Sequence, residues 1–190
     1  MARRPNPTLR AKRKDNLMES IITIITEESI AEATTRHISE MSNLTIASLH
    51  YYFGSKDGAL VATAENILED WINEILEKRT MTAEQKIRQL FTPPKYMITF
   101  SQILTYPFRQ KDVSNRARLL DKKFSESIKE FLKLHEIGTE DLDRHTELVK
   151  TFLIGLSFKI VTNRDILNDE LDNLKRFFTE KEELPDIRGF

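Results

Sequence analysis

The sequence contains no cysteine among its 190 residues. Disulfide bridges, thiolate-bound metals and cysteine nucleophiles therefore have no part in its fold or chemistry. Glycine and proline are also scarce, with five and six copies, and nearly all of them fall between segments whose apolar residues recur at helical spacing. Few chain breakers and a helical period together predict an all-α protein of about nine helices.

Long apolar runs and catalytic spacings are missing as well. No segment reaches the roughly 18 consecutive apolar residues of a membrane span, and the basic N-terminus lacks the apolar core of a signal peptide. We therefore expect a cytoplasmic protein with no membrane partner. The four histidines show no metal or catalytic-triad spacing, and there is no glycine-rich phosphate loop. We expect neither an enzyme nor a bound metal or cofactor.

Positive charge is unevenly distributed along the chain. The whole chain has 29 basic and 30 acidic residues, yet residues 1–14 contain only basic charges. We interpret residues 1–9 as a flexible basic arm, which suits a polyanionic partner. The alternative is a solvated terminus that binds nothing.

Two short predicted helices near the N-terminus have the spacing of a helix-turn-helix motif. Thr34 or Thr35 caps the first helix, Asn43 tolerates the left-handed backbone of the turn, and Thr45 caps the second helix. In such a motif the second helix enters the major groove of DNA. We predict a DNA-binding domain over residues 10–58 and a helical regulatory and dimerisation domain over residues 59–190.

The second helix of this motif has an apolar and an exposed face. Leu49 and Phe53 lie four residues apart and anchor it to its neighbours, and Ala47 allows close backbone approach. Lys56 opposes the dipole of the next helix, and a phosphate bound there would explain its position. The side chains expected to project toward solvent or DNA are Thr45, Ile46, Ser48, His50, Tyr51 and Tyr52.

The segment TTRHISEMSNLTIASLHYYFGSKDGAL, residues 34–60, closely resembles the DNA-binding signature of the tetracycline-repressor (TetR) family of bacterial transcriptional regulators. His50 and Tyr52 stand where that family usually has Tyr and His, so no operator sequence can be transferred from a relative. The matching positions are Thr34, Thr35, Ile38, Leu49, Tyr51, Phe53, Ser55, Lys56 and Leu60.

This resemblance implies roles for individual residues in DNA binding. Phosphate contacts are implied for Thr35, Thr45, Tyr51, Tyr52 and Lys56, and proximity to the bases for Ile46, Ala47, Ser48 and His50. Arg36 would read guanine, contact a phosphate or remain solvated. Packing of Tyr51 and capping by His50 are the alternatives for those two side chains. Secondary candidates for the minor groove or the backbone are Arg10, Lys12 and Arg13.

The resemblance further implies a homodimer on a palindromic operator. The last two predicted helices, near residues 140–163 and 166–178, are strongly apolar, and the family pairs these helices with their copies. Ordinary intrachain core is the alternative for each interface candidate. These candidates are Leu148, Phe152, Leu156, Leu167, Leu171 and Leu174.

Finally, the resemblance implies a pocket for a small-molecule inducer in the second domain. The candidate lining residues, for which core packing is the alternative, are Trp71, Tyr96, Phe100, Gln102, Tyr106, Phe124, Phe131, His135 and Phe152. Because no cluster of cations is evident, we expect an apolar or aromatic inducer. The predicted function is a repressor that this inducer releases from DNA. The alternative is a helical dimer that answers to a protein partner or does not bind an operator.

Overall fold

The computed structural model describes residues 7–77 and 80–163, together with 166, 169, 170, 172 and 173. Within these residues there are eight α-helices and one 3-10 turn, and no strand, so the all-α prediction is confirmed. The helices are α1 (Pro7–Glu27), α2 (Thr35–Ser42), α3 (Ile46–Phe53), α4 (Lys56–Glu77), α5 (Ala83–Leu90), α6 (Lys95–Leu104), α7 (Lys111–Leu134) and α8 (Leu142–Thr162). The ninth predicted helix, 166–178, lies largely outside the described residues, as do residues 1–6.

Helix α1 begins earlier than the sequence predicted. The expected start was near Arg10, whereas the helix begins at Pro7. Proline fits the first turn of a helix because the amide it lacks would have no helical partner there. Residues 7–9, which were assigned to a flexible arm, are therefore helical, and Arg10 and Arg13 lie on an ordered helix.

Side-chain caps start the N-terminal helices at the positions that the sequence predicted. Thr34, Thr45 and Ser55 each accept a hydrogen bond from the backbone amide three residues on, at 3.2, 3.1 and 2.9 Å. Asn43 has a left-handed backbone, with φ of 53°, at the end of α2. Since α2 and α3 have only eight residues each, caps contributing about 1 kcal/mol apiece matter to their stability.

One apolar core extends through the described helices from α1 to α8. Helix α4 packs against α1 and α3 on one side and against α6 and α7 on the other, and α7 packs on α8. Near the middle, the rings of Trp71, Phe100 and Phe124 stack edge to face, with successive centroids 5.0 and 4.9 Å apart. Helix α4 therefore contacts both the helix-turn-helix and the C-terminal helices.

The close approach of α4 to α3 requires glycine at position 58. A Cβ atom there would lie 2.4 Å from the backbone carbonyl oxygen of Phe53. Gly54, in the turn between the two helices, has a φ of +78°, which glycine adopts most readily. These two glycines allow the tight turn through which α4 follows α3 and packs against its end.

We expect Gly58→Ala to lower the free energy of unfolding by about 1–3 kcal/mol, the usual cost of forcing atoms into a packed site. Urea denaturation followed by circular dichroism measures this change. Asn115→Ala, at an exposed position within α7, is the control, because it adds no atom to a packed site and alanine favours helix. Equal stabilities of the two variants would contradict the tight α3–α4 contact.

Candidate nucleic-acid interface and ligand cavity

Helix α3 presents an exposed face opposite its anchor. Leu49 is fully buried, whereas Tyr51 is 65% exposed and Ile46 is 44% exposed. Ala47 and His50 are also exposed. The structure thus brings four of the predicted DNA-facing residues together on one surface.

Tyr52 does not project to solvent as expected. Its ring is half-buried against the core, edge to face with Tyr51 at 5.1 Å and with Phe53 at 6.4 Å between centroids. The prediction is wrong for this ring because positions 49, 52 and 53 share one helix face. The exposed face of α3 is correspondingly narrower than the sequence indicated.

Basic side chains of α1 border the exposed face of α3. The guanidinium of Arg10 lies 5.4 Å from the ring centre of Tyr51, and the ammonium of Lys14 lies 5.9 Å from that of Phe53. The residues of α1 and α3 line one shared groove, formed by Leu9, Arg10, Arg13, Thr45, Ala47, Ser48, Tyr51 and Tyr52. We name this groove, with its bordering cations, the basic groove. Cations beside an exposed helix can bind phosphates while the helix reaches base edges.

Two candidate base-reading side chains already have partners within the chain. The Nε of Arg36 donates to the carboxylate of Glu40 at 2.8 Å, and this hydrogen bond raises the pKa of Arg36. Both side chains are exposed, so separating them costs little. The Nδ1 of His50 lies 3.0 Å from the carbonyl oxygen of Gly54. His50 thus caps the end of α3 through Nδ1, and its Nε2 is not part of this contact.

Lys56 turns away from the expected phosphate position. Its Nζ donates to the hydroxyl of Tyr106 at 3.4 Å, lies 5.2 Å from that ring centre, and is 3.4 Å from the carboxylate of Asp57. Tyr106, expected in the ligand pocket, lies here instead, between α6 and α7. A phosphate bound by Lys56 would compete with this contact between α4 and the C-terminal helices.

A narrow apolar cavity of about 40 Å³ lies between α4, α5, α7 and α8. Its walls are formed by Leu68, Trp71, Ile72, Lys86, Ile87, Leu90, Phe124, Ser127, Ile128, Phe131, Val149 and Leu153. Three of the predicted pocket residues, Trp71, Phe124 and Phe131, are among them. A small cavity therefore lies among these three residues, and its binding of a ligand stays a prediction.

The other predicted pocket residues do not line this cavity; they are Tyr96, Phe100, Gln102, Tyr106, His135 and Phe152. Phe100 is fully buried in the core, and Tyr96 borders a separate cleft beside α1. The ring of His135 lies behind that of Phe131, with centroids 4.8 Å apart. Apolar periodicity identified inward faces, but it could not show which of them meet at a void.

Lys86 is the functional candidate that sequence reasoning missed. Its side chain is 1% exposed and lines the cavity. A signal was available, because Lys86 shares the inward face of α5 with Ala83, Ile87 and Leu90. A charge among such residues is uncommon.

A second buried nitrogen lies close to Lys86. The Nε2 atom of His135 is buried without a hydrogen-bond partner in the part of the chain that the structure describes. Burial, and then the positive charge of Lys86, lower the pKa of His135. The lowered pKa of His135 means that its imidazole favours the uncharged form.

Helix α8 keeps an exposed apolar stripe. Phe158 is 45% exposed, Leu148 is exposed, and Gly155 between them leaves open space. Phe152 is half-buried. Leu156 is 2% exposed within its own chain, so its predicted place at an interface is wrong. The remaining interface candidates, which lie outside the described residues, are Leu167, Leu171 and Leu174.

Over the described part of the chain, no helix is both long enough and apolar enough to cross a membrane. Among the same residues, no three His, Asp or Glu side chains are grouped so that they could hold a metal ion.

Sequence comparison finds relatives for about a third of the chain. No family model matches the chain. A segment of 67 residues is 33% identical to the HTH-type transcriptional regulator BetI 2 of Chromohalobacter salexigens, covering 35% of this chain and 32% of that protein. The chain thus matches its curated relatives over about a third of their length.

Structure comparison extends the likeness to nearly the whole chain. A TetR transcriptional regulator from Legionella pneumophila superposes with a TM-score of 0.66 at 16% identity, covering 94% of this chain and 100% of that one. The chain has the TetR-family fold. FadR from Bacillus subtilis, solved in complex with stearoyl-CoA, shares this TetR fold with a TM-score of 0.63 at 13% identity, over 84% and 96% of the two chains. The resemblance drawn from residues 34–60 is confirmed.

Proposed function

We propose that the protein is a homodimeric, sequence-specific DNA-binding regulator of transcription, without enzymatic activity. The observation that carries this proposal is the basic groove beside the exposed face of α3. The TetR fold and the similarity of one segment to HTH-type transcriptional regulators support it.

The roles of the groove residues follow from their charge and exposure. Arg10 and Arg13 bind phosphates on either side of the major groove, and Tyr51 donates its hydroxyl to the same backbone. Ile46 and Ala47, near the N-terminal end of α3, lie closest to the base edges. Phosphate contacts position the helix, and the base contacts select the sequence.

Two more cations join the interface by exchanging partners. Arg36 leaves the exposed carboxylate of Glu40 for a guanine edge or a phosphate, because such a surface pair contributes little free energy. Lys56 leaves Tyr106 for a phosphate at the N-terminus of α4. Binding of DNA is therefore coupled to the contact between α4 and the C-terminal helices.

We expect Arg13→Ala to weaken binding to every DNA sequence and to reduce the salt dependence of the affinity, by about 0.9 in the log–log slope for one lost phosphate contact. Fluorescence anisotropy with DNA from upstream of the protein's own gene, and with random DNA, at several salt concentrations measures both quantities. Lys122→Ala, an exposed change on α7, is the control and should match the wild type. An unaltered slope for Arg13→Ala would rule out its phosphate contact.

The exposed stripe of α8 is assigned to a second copy of the chain. One helix-turn-helix reads a short half-site, and two heads about 34 Å apart read a palindrome. At a two-fold interface the same patch meets itself. Leu148 and Phe158 supply apolar surface for such a patch, and Gly155 lets the paired helices approach closely.

We expect Phe158→Glu to raise the dissociation constant of the dimer about tenfold or more, because two carboxylates would be buried across the two-fold axis. Sedimentation velocity over a concentration series measures this constant. Leu119→Glu on α7, where the native side chain is 66% exposed, is the matched control and should leave the dimer intact. A Phe158→Glu protein that dimerises like the wild type would place the interface elsewhere.

We also propose that a small molecule in the cavity releases the protein, acting as a repressor, from its operator. Helix α4 supports this link, since Trp71 lines the cavity and the same helix carries Lys56 beside α3. The stearoyl-CoA complex of FadR supports ligand binding within this fold. The ligand favours a pose of α4 that separates the two DNA-binding heads, and ligand and DNA then weaken each other's binding reciprocally.

A further inference from the structure

The first turn of α3 exposes apolar groups on the surface that the proposed function turns toward DNA. Ile46 is 44% exposed, and Ala47 is exposed beside it and lines the basic groove. A single exposed apolar side chain is ordinary on a protein surface. Two in succession at the start of a helix, next to the cations Arg10 and Arg13, suit a partner that is anionic and also carries an apolar group.

The hydroxyl groups of the same turn are already paired with one another. The Oγ1 atom of Thr45 accepts a hydrogen bond from the backbone amide of Ser48 at 3.1 Å and lies 3.0 Å from the Ser48 hydroxyl. A base that took either hydroxyl would therefore compete with the cap of α3. The turn also contains no acidic residue, although the helix dipole favours one there. It thus has no carboxylate, amide or guanidinium group with which to read a base edge.

The groups that base pairs present in the major groove are hydrogen-bonding groups, with one exception. Guanine presents acceptors, cytosine a donor, and adenine one of each, whereas thymine presents a methyl group on C5 beside its O4 acceptor. An isoleucine side chain can exclude water from that methyl group, but it satisfies no donor or acceptor. The chemistry of this turn therefore matches thymine better than any other base.

We propose that the first turn of α3 selects a T·A base pair in each half-site, with Ile46 packed against the C5 methyl group of thymine. The small side chain of Ala47 lets the backbone of α3 approach the base edges. A C·G pair in the same place would turn the amino group of cytosine toward Ile46 and leave it without an acceptor. The proposal deepens the DNA-binding function above and rests on it, because it names a base pair that α3 reads.

Deoxyuridine isolates this contact, because it lacks the methyl group of thymidine and keeps the same hydrogen-bonding groups. A binding site is first enriched from a random double-stranded library on the full-length protein, and each thymine of that site is then replaced singly by deoxyuridine. We expect one position in each half-site to lose about fourfold in affinity by fluorescence anisotropy, the value of one buried methyl-sized group. An enriched site without any position sensitive to deoxyuridine would overturn the proposal.

The variant that tests the residue is Ile46→Ser, which shortens an exposed side chain and leaves the Thr45 cap in place. We expect it to bind the thymine and deoxyuridine forms of the sensitive position with equal affinity. Leu119→Ser on α7, where the native side chain is 66% exposed, is the control and should keep the fourfold difference. Persistence of that difference in Ile46→Ser would overturn the assignment to Ile46.

Methylated cytosine gives an independent check on the methyl group. At the sensitive position, T·A is replaced by C·G and then by 5-methylcytosine·G, which restores the methyl group alone. We expect the wild type to bind the methylated pair about fourfold more tightly than C·G, and Ile46→Ser to bind the two equally. No gain from methylation in the wild type would count against the apolar contact.

The same measurements separate this proposal from the function on which it rests. A protein that enriches no site, and binds DNA without salt dependence, is not the proposed regulator, and selection of T·A fails with that function. Salt-dependent binding to an enriched site supports the regulator. If no methyl group of that site affects affinity, thymine selection alone is overturned.

Discussion

The packing of α4 into a single apolar core is the constraint on which the rest of the structure depends. At its N-terminal end, Gly58 lets α4 approach α3 until there is no space for a Cβ atom. Further along, Trp71 joins α4 to the rings of α6 and α7. Cores of this kind are close-packed and shift between discrete arrangements rather than deforming smoothly. We therefore expect a change in the middle of α4 to displace α3 as well.

The basic side chains near the two ends of α4 lie in different surroundings. The cations of the basic groove lie at one end, where they stay near water and can exchange partners at little cost. At the other end, the side chain of Lys86 is buried and lines the apolar cavity. A charge in the first setting can position a polyanion, whereas the stem of Lys86 serves mainly as apolar wall. Lys56 lies between the two, held by Tyr106 at the junction of the halves.

The local features of the fold were predictable, because they depend on neighbours in the sequence. Thr34, Thr45 and Ser55 cap helices through hydrogen bonds that span three residues, and Asn43 fits a turn through its own backbone preference. Features that depend on distant packing were not. The burial of Tyr52 depends on which side of α3 packs against the neighbouring helices. The burial of Leu156 depends on which helices pack against α8.

The residues of the candidate site likewise include some that local sequence predicts and some that depend on distant packing. Its exposed residues on α3 were identified from spacing and resemblance, although their roles remain predictions. The contact of Lys56 with Tyr106 spans 50 positions and has no local signal. Lys86 had a local signal, a charge on an apolar face, but its burial could be recognised only once the neighbouring helices were in place.

The most direct test of the central claim, that α4 couples the cavity to the spacing of the two DNA-binding heads, is an interchain distance measurement. Since the sequence has no cysteine, Ala31→Cys, at an exposed position before α2, gives one spin label per chain for double electron–electron resonance. We expect one narrow distance population for the wild type on upstream DNA, and a longer distance for a Leu153→Phe variant, whose larger side chain overfills the cavity. The same distribution for the wild type and for Leu153→Phe, or no interchain signal, would contradict the coupling.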